Sequence, residues 1–174
     1  TVLSAGFRES VVRKLFNPIS DAFLGWRSAA VIHANRAGCK QAALHVFSNE
    51  RKVNAILDIA GTVAECGFDV IRNRIQEDGV PFLQTLPYIG SITAFHLAKN
   101  LGLPVVKPDR HLQRIAEAAG FGSPHELCEV IADRVGEPIQ VIDVVLWRYA
   151  TLYSNYVVVF AALSTASSPA TRTR

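Results

Sequence analysis

Residues 83–115 read LQTLPYIGSITAFHLAKNLGLPVVKPDRHLQRI. Leu86-Pro87-Tyr88-Ile89-Gly90 joins two short helical runs, and Gly90 opens the second, over residues 91–101. A tight turn that ends on glycine at a helix N-terminus offers backbone N–H groups with no Cβ in the way, an arrangement suited to a phosphate. In the second run Ile92, Phe95, Ala98 and Lys99 fall at i, i+3, i+6 and i+7, and small Ala94 and Ala98 let a neighbour pack closely. Further on, Asp109 follows Pro108, so its carboxylate is expected near a helix N-terminus, where an ionised Asp is favoured. Taken alone, such a Pro-Asp pair reads as an ordinary helix cap.

The helical period extends in both directions. Over residues 50–66, Val53, Ile56, Leu57, Ala60 and Val63 make an apolar stripe, with Arg51, Lys52, Asn54 and Asp58 off it. Leu112, Ile115, Ala116 and Ala119 make another, closing at Gly120. Ser123-Pro124-His125-Glu126 has the form of a capping box with proline at the first helical position, which predicts a helix over 124–135 ending at Gly136. Over about 138–156 a helix is expected on length, although Val141, Val144 and Val145 suit a strand equally, and three more helices are expected at about 7–16, 19–34 and 39–47, broken by Asn17-Pro18 and by Gly38. No alternating run flanked by hairpin-turn residues is present, so the fold class is all-α. Residues 1–163 are expected to form one compact domain, and residues 164–174, small and polar, a flexible tail.

Among 174 residues, 49% are hydrophobic and 19% charged, which supports a real core and excludes an intrinsically disordered chain. The net charge of +3 names no partner, but it is uneven: residues 1–52 carry eight basic and three acidic groups, +5, and the remainder carries −2. Such an asymmetry permits a polyanion-binding face. Three cysteines, Cys39, Cys66 and Cys128, have no C-x-x-C spacing, so a disulfide framework, a zinc site and an iron–sulfur cluster are all unexpected, and a reducing cytoplasm fits best. The apolar stretch 157–163 is far short of the roughly 20 residues that span a bilayer. Charged Arg8, Glu9, Arg13 and Lys14 interrupt the N-terminal apolar residues, so no secretory signal is expected.

Leu86, Pro87, Ile89, Gly90, Thr93 and Ala94, with Asp109-x-His111 about 18 residues after the turn, resemble the helix-hairpin-helix DNA glycosylases, the endonuclease III-like superfamily. Their hairpin reads L-P-G-[VI]-G-x-x-T-A and is followed by a catalytic Asp-x-His. Weaker likeness extends to residues 47–53 and to 141–149 (VIDVVLWRY), whereas residues 1–44 match no motif. The chain departs from the pattern at Tyr88, where the family has glycine, and at Ile92, where members with lyase activity carry a Schiff-base lysine. An isoleucine cannot form an imine.

The resemblance implies two packed helical lobes with a DNA groove between them and a monofunctional glycosylase that hydrolyses the N-glycosidic bond of a flipped, damaged or modified base. It assigns catalysis to Asp109 and phosphate contacts to Tyr88, Gly90, Ser91, Lys107, Arg110 and His111, His111 serving either a phosphate or a structural hydrogen bond. Among the aromatic and imidazole groups, Trp26, His33 and Trp147 are candidates for the base pocket, although each also reads as core; Trp26 and His33, seven apart, are expected on one helix face. Asn35-Arg36 is a candidate wedge for the gap left by the flipped base. No cofactor or metal is implied beyond a monovalent cation at the hairpin carbonyls. The implied partner is double-stranded DNA, with no membrane, for a cytoplasmic, nucleoid-associated monomer. The rival reading is a non-catalytic helix-hairpin-helix DNA-binding module, and a third is a helical bundle unrelated to nucleic acid.

Overall fold

The computed structural model describes residues 1–166. The fold is all-α, with ten α-helices and no strand among the described residues. In order these are α1 (Glu9–Ala22), α2 (Ala29–Ala34), α3 (Arg36–Val46), α4 (Glu50–Cys66), α5 (Phe68–Gln84), α6 (Ser91–Asn100), α7 (Arg110–Ala118), α8 (Pro124–Val135), α9 (Ile139–Leu152) and α10 (Tyr156–Ala166), with one 3₁₀ turn, Leu24–Trp26, between α1 and α2. No helix among the described residues is long and apolar enough to cross a membrane. The chain divides into two compact units, Thr1–Leu97 and Ala98–Arg174.

In the first unit α2 packs on α4, and α1 packs on α3. Ile19, Ala22, Phe23, Ile32, Cys39, Ala43, Val53 and Leu57 form its buried centre. That centre explains two departures from the sequence expectation. α1 continues through Pro18, which removes one helical hydrogen bond, because the buried Ile19, Ala22 and Phe23 lie just beyond it. Gly38 lies inside α3 and does not end it, flanked by buried Cys39 and Ala43. The reversal comes instead at Leu24-Gly25-Trp26, three successive residues with φ of 56°, 67° and 57°. Ser28 then caps α2, accepting the Val31 N–H on its hydroxyl.

In the second unit α7 packs against α8, α9 and α10 around Leu112, Ile115, Ala116, Leu127, Cys128, Ile142, Leu146 and Tyr156. α8 starts and stops where its capping residues predict: Ser123 accepts the Glu126 N–H, and Gly136 ends the helix at φ 73°. The helix expected over 138–156 closes at Leu152 with Tyr153 extended, and α10 takes residues 164–166 of the expected tail into a helix. Residues 167–174 lie outside the described residues.

Candidate functional site

α5 kinks at Gly79, with φ 55° and ψ −129°, ahead of Pro81, and resumes to Gln84, after which the hairpin turn begins. Leu86-Pro87-Tyr88-Ile89 is a β-turn closed by the Ile89 N–H on the Leu86 carbonyl at 3.1 Å. Proline at its second position presets φ, and Tyr88 at the third takes φ 66°. The left-handed conformation that favours glycine is thus kept with a tyrosine in the place. Its ring is exposed on one side and lies 5.6 Å from the Lys52 ammonium.

Gly90 caps α6. Its carbonyl accepts the first helical bond, from Ala94 at 2.9 Å, and its N–H donates to the Thr93 hydroxyl at 2.8 Å, which donates back to the Gly90 carbonyl. The Gly90 amide is therefore engaged, leaving the first-turn amides of Ser91, Ile92 and Thr93 ahead of the first helical bond. A Cβ built on Gly90 would meet nothing closer than the Thr93 hydroxyl at 3.9 Å, and its φ is not positive, so the fold itself does not demand glycine there. Ser91 and Ile92 are exposed.

Asp109 is the N-cap of α7. Its Oδ1 accepts the N–H groups of His111 at 2.9 Å and Leu112 at 3.1 Å. Both capping bonds use one oxygen, and Oδ2 takes part in neither. The residue is half-buried. Behind it Asp143, 1% exposed on α9, accepts the Lys107 backbone N–H on Oδ2 and the Lys99 ammonium on Oδ1 at 2.6 Å. That ion pair fixes the stretch leading to Asp109. Buried Cys128 sits beside it, its thiol pushed up to about 12 by burial and by the Asp143 carboxylate, with Lys99 opposing. The His111 Nδ1 lies within hydrogen-bond distance, 3.2 Å, of the Tyr156 hydroxyl. Lys107 is half-buried, and Arg110 and Arg114 are exposed on the first turns of α7.

The base-pocket candidates belong to three different elements. Trp26 stacks on buried Phe23 with centroids 4.7 Å apart, on the 3₁₀ turn. His33 belongs to α2, so the reversal at Gly25 separates the two and the expected shared helix face does not form. The His33 ring lies over Gly61 of α4, with Nδ1 only 3.1 Å from where a Cβ on Gly61 would sit. Trp147 is exposed on α9, in the other unit. The wedge candidates are engaged locally: Asn35 donates to the Val31 carbonyl at 2.8 Å, and Arg36 pairs with Asp58.

Sequence reasoning missed two buried charged groups. Asp143 was legible as the one charge within VIDVVLW. Lys52 was placed off the apolar stripe, yet it is 1% exposed, its ammonium donating to the carbonyls of Leu3 and Ala5. Burial holds that amine below its ordinary range. No protein-family model, curated protein or solved structure matches this chain.

Proposed function

We propose that the protein is a monofunctional DNA glycosylase that removes a damaged or modified base, with Asp109 as its catalytic carboxylate. The observation that carries the reading is the Asp109 side chain: oriented through Oδ1 by two amides, it keeps Oδ2 out of the cap, at a turn anchored from behind by Asp143. Breaking the C1′–N bond sends its electron pair to the departing base and builds positive charge on the sugar. A carboxylate at that point stabilises the charge and accepts a proton from the water that adds to C1′, while the base is protonated on nitrogen. The N-terminal amides of α6 and the cations Lys107, Arg110 and Arg114 hold phosphates. Gly90, which the fold does not require, lets a backbone phosphate approach. A monovalent cation at the hairpin would draw on the carbonyls of Pro87, Tyr88 and Ile89, since those of Leu86 and Gly90 already accept hydrogen bonds. With Ile92 in place of a lysine, the product is an abasic site.

The Asp109 cap bonds equally favour the rival, a non-catalytic DNA-binding module. Asp109→Asn separates the two, because asparagine caps a helix about as well as aspartate. Duplexes carrying 8-oxoguanine, uracil, alkylated purines, mismatched adenine or modified cytosines are incubated with the protein and treated with hot alkali. Wild type is expected to release one of these bases and Asp109→Asn to release it about 10²-fold or more slowly at unchanged duplex affinity. Release of none by wild type, or equal release by the variant, sinks the catalytic reading.

A further inference from the structure

Among the described residues, Leu24, Trp26 and Tyr88 are the non-glycine residues with positive φ. A backbone of this kind persists only where the surroundings over-determine it, and it collects at functional sites. Packing accounts for Trp26, whose ring stacks on buried Phe23. It does not account for Tyr88. That ring is 43% exposed, and its hydroxyl has no hydrogen-bond partner among the described residues. Its one described ring contact is the Lys52 ammonium at 5.6 Å, close to the limit of about 6 Å for a cation and a ring. A large aromatic side chain is thus kept, against the backbone's preference for glycine, on a turn where it packs little of itself away.

The Lys52 ammonium is fixed. It donates to the carbonyls of Leu3 and Ala5 and lies 4.3 Å from the centroid of Phe7, a second ring, which is 40% exposed. No carboxylate is among its described hydrogen-bond partners, so nothing there neutralises its charge. Residues 3–7, α4 and the hairpin turn, all in the first unit, thus bring two half-exposed rings to one buried positive charge. An open aromatic face over a positive field suits a flat, neutral ring that belongs to a polyanion, which is the description of a base in a nucleic-acid strand. Within a continuous duplex each base is stacked on its neighbours and offers the Tyr88 ring no face. An unpaired nucleotide does.

We propose that Tyr88 is a stacking platform for an unpaired base in the strand held at the hairpin, so that the protein prefers DNA interrupted by an unpaired nucleotide over continuous duplex. The inference rests on the DNA-binding part of the glycosylase reading and assigns no pocket for the excised base. Tyrosine in the place of glycine turns a grip on the backbone, blind to sequence and pairing, into one that detects lost stacking, and the strained turn is retained for that ring.

The test uses the full chain and two lesion-free duplexes, one fully paired and one carrying a single unpaired adenine, with affinity read by fluorescence anisotropy. Wild type and Tyr88→Phe, which keeps the ring, are expected to bind the interrupted duplex about tenfold more tightly than the paired one. Tyr88→Leu and Tyr88→Gly should lose that preference while their affinity for the paired duplex stays within twofold. Tyr88→Gly relieves the left-handed backbone and Tyr88→Leu keeps it, so a loss common to both belongs to the ring and not to the turn. Equal affinity of wild type for the two duplexes, binding of neither, or an undiminished preference in Tyr88→Leu overturns the proposal. A Tyr88→Phe variant as indifferent as Tyr88→Leu overturns it too, since the hydroxyl would then carry the effect. The glycosylase reading fails separately: a ring-dependent preference without base release from the lesion duplexes keeps the platform and removes the catalysis, whereas base release by a protein whose Tyr88→Leu variant keeps its preference does the opposite.

Discussion

The Asp143 carboxylate on α9 accepts the backbone N–H of Lys107, two residues before Asp109, while its other oxygen holds the Lys99 ammonium. One buried side chain therefore ties the end of α6, the middle of α9 and the approach to α7 together. Asp143→Ala leaves Lys99 without its counter-charge and the Lys107 amide without its acceptor. Removing one partner of a buried pair costs about 3–5 kcal/mol, so urea melting should show a loss of that order. Asp143→Asn keeps an acceptor for the amide and should lose less.

Tyr88 holds the left-handed position of the hairpin turn at φ 66°. A non-glycine residue there costs roughly 1–2 kcal/mol, and the ring's distant contact with Lys52 returns part of it. Tyr88→Gly is expected to stabilise the protein by about 1 kcal/mol in a denaturant titration. A loss of stability would show that the ring contact outweighs the backbone strain.

Lys52 gives the protein a pH dependence of a definite sign. Burial lowers the amine in the folded state from its ordinary 10.5, so the unfolded chain binds more protons across the interval below 10.5. The cost of holding the charged amine is fully present below the lowered value, shrinks as pH rises through it, and is gone by 10.5. Wild type should therefore gain stability relative to Lys52→Met as pH is raised from neutrality toward 10.5, measured as the difference in melting temperature at each pH.

The three thiols should separate by reactivity. Cys66 is exposed, whereas Cys39 and Cys128 are buried with their thiols pushed up, Cys128 to about 12. Thiolate is the reactive form, so a disulfide reagent at pH 8 should label one cysteine rapidly and the other two only on unfolding. Rapid labelling of Cys128 would mean that the Lys99–Asp143 region opens readily.

The all-α class was legible because local signals and burial agree. Residues 124–135 carry a cap, a proline and a terminal glycine that match α8 residue for residue, and the stripe of 50–66 is α4. Local signals failed where packing outweighed them, at Pro18 and Gly38, both retained inside helices whose neighbours are buried. The reversal at Leu24-Gly25-Trp26 had no turn signature beyond one glycine, since leucine and tryptophan seldom take positive φ. In the candidate site, the Asp109 cap and the hairpin turn could be read from Pro108 and from Leu86-Pro87, because both are short-range. The partners of Lys52 and Asp143 could not, since hydrogen bonds spanning 36 to 49 residues leave no periodic trace.

The hydroxyl of Thr93 binds both the N–H and the carbonyl of Gly90, so the hairpin is latched by its own chain before anything arrives. An anion meeting this turn would find the amides already aligned, with no loop to order first. Association at such a turn is governed by encounter and ionic strength, and little of the binding energy is diverted into rearrangement.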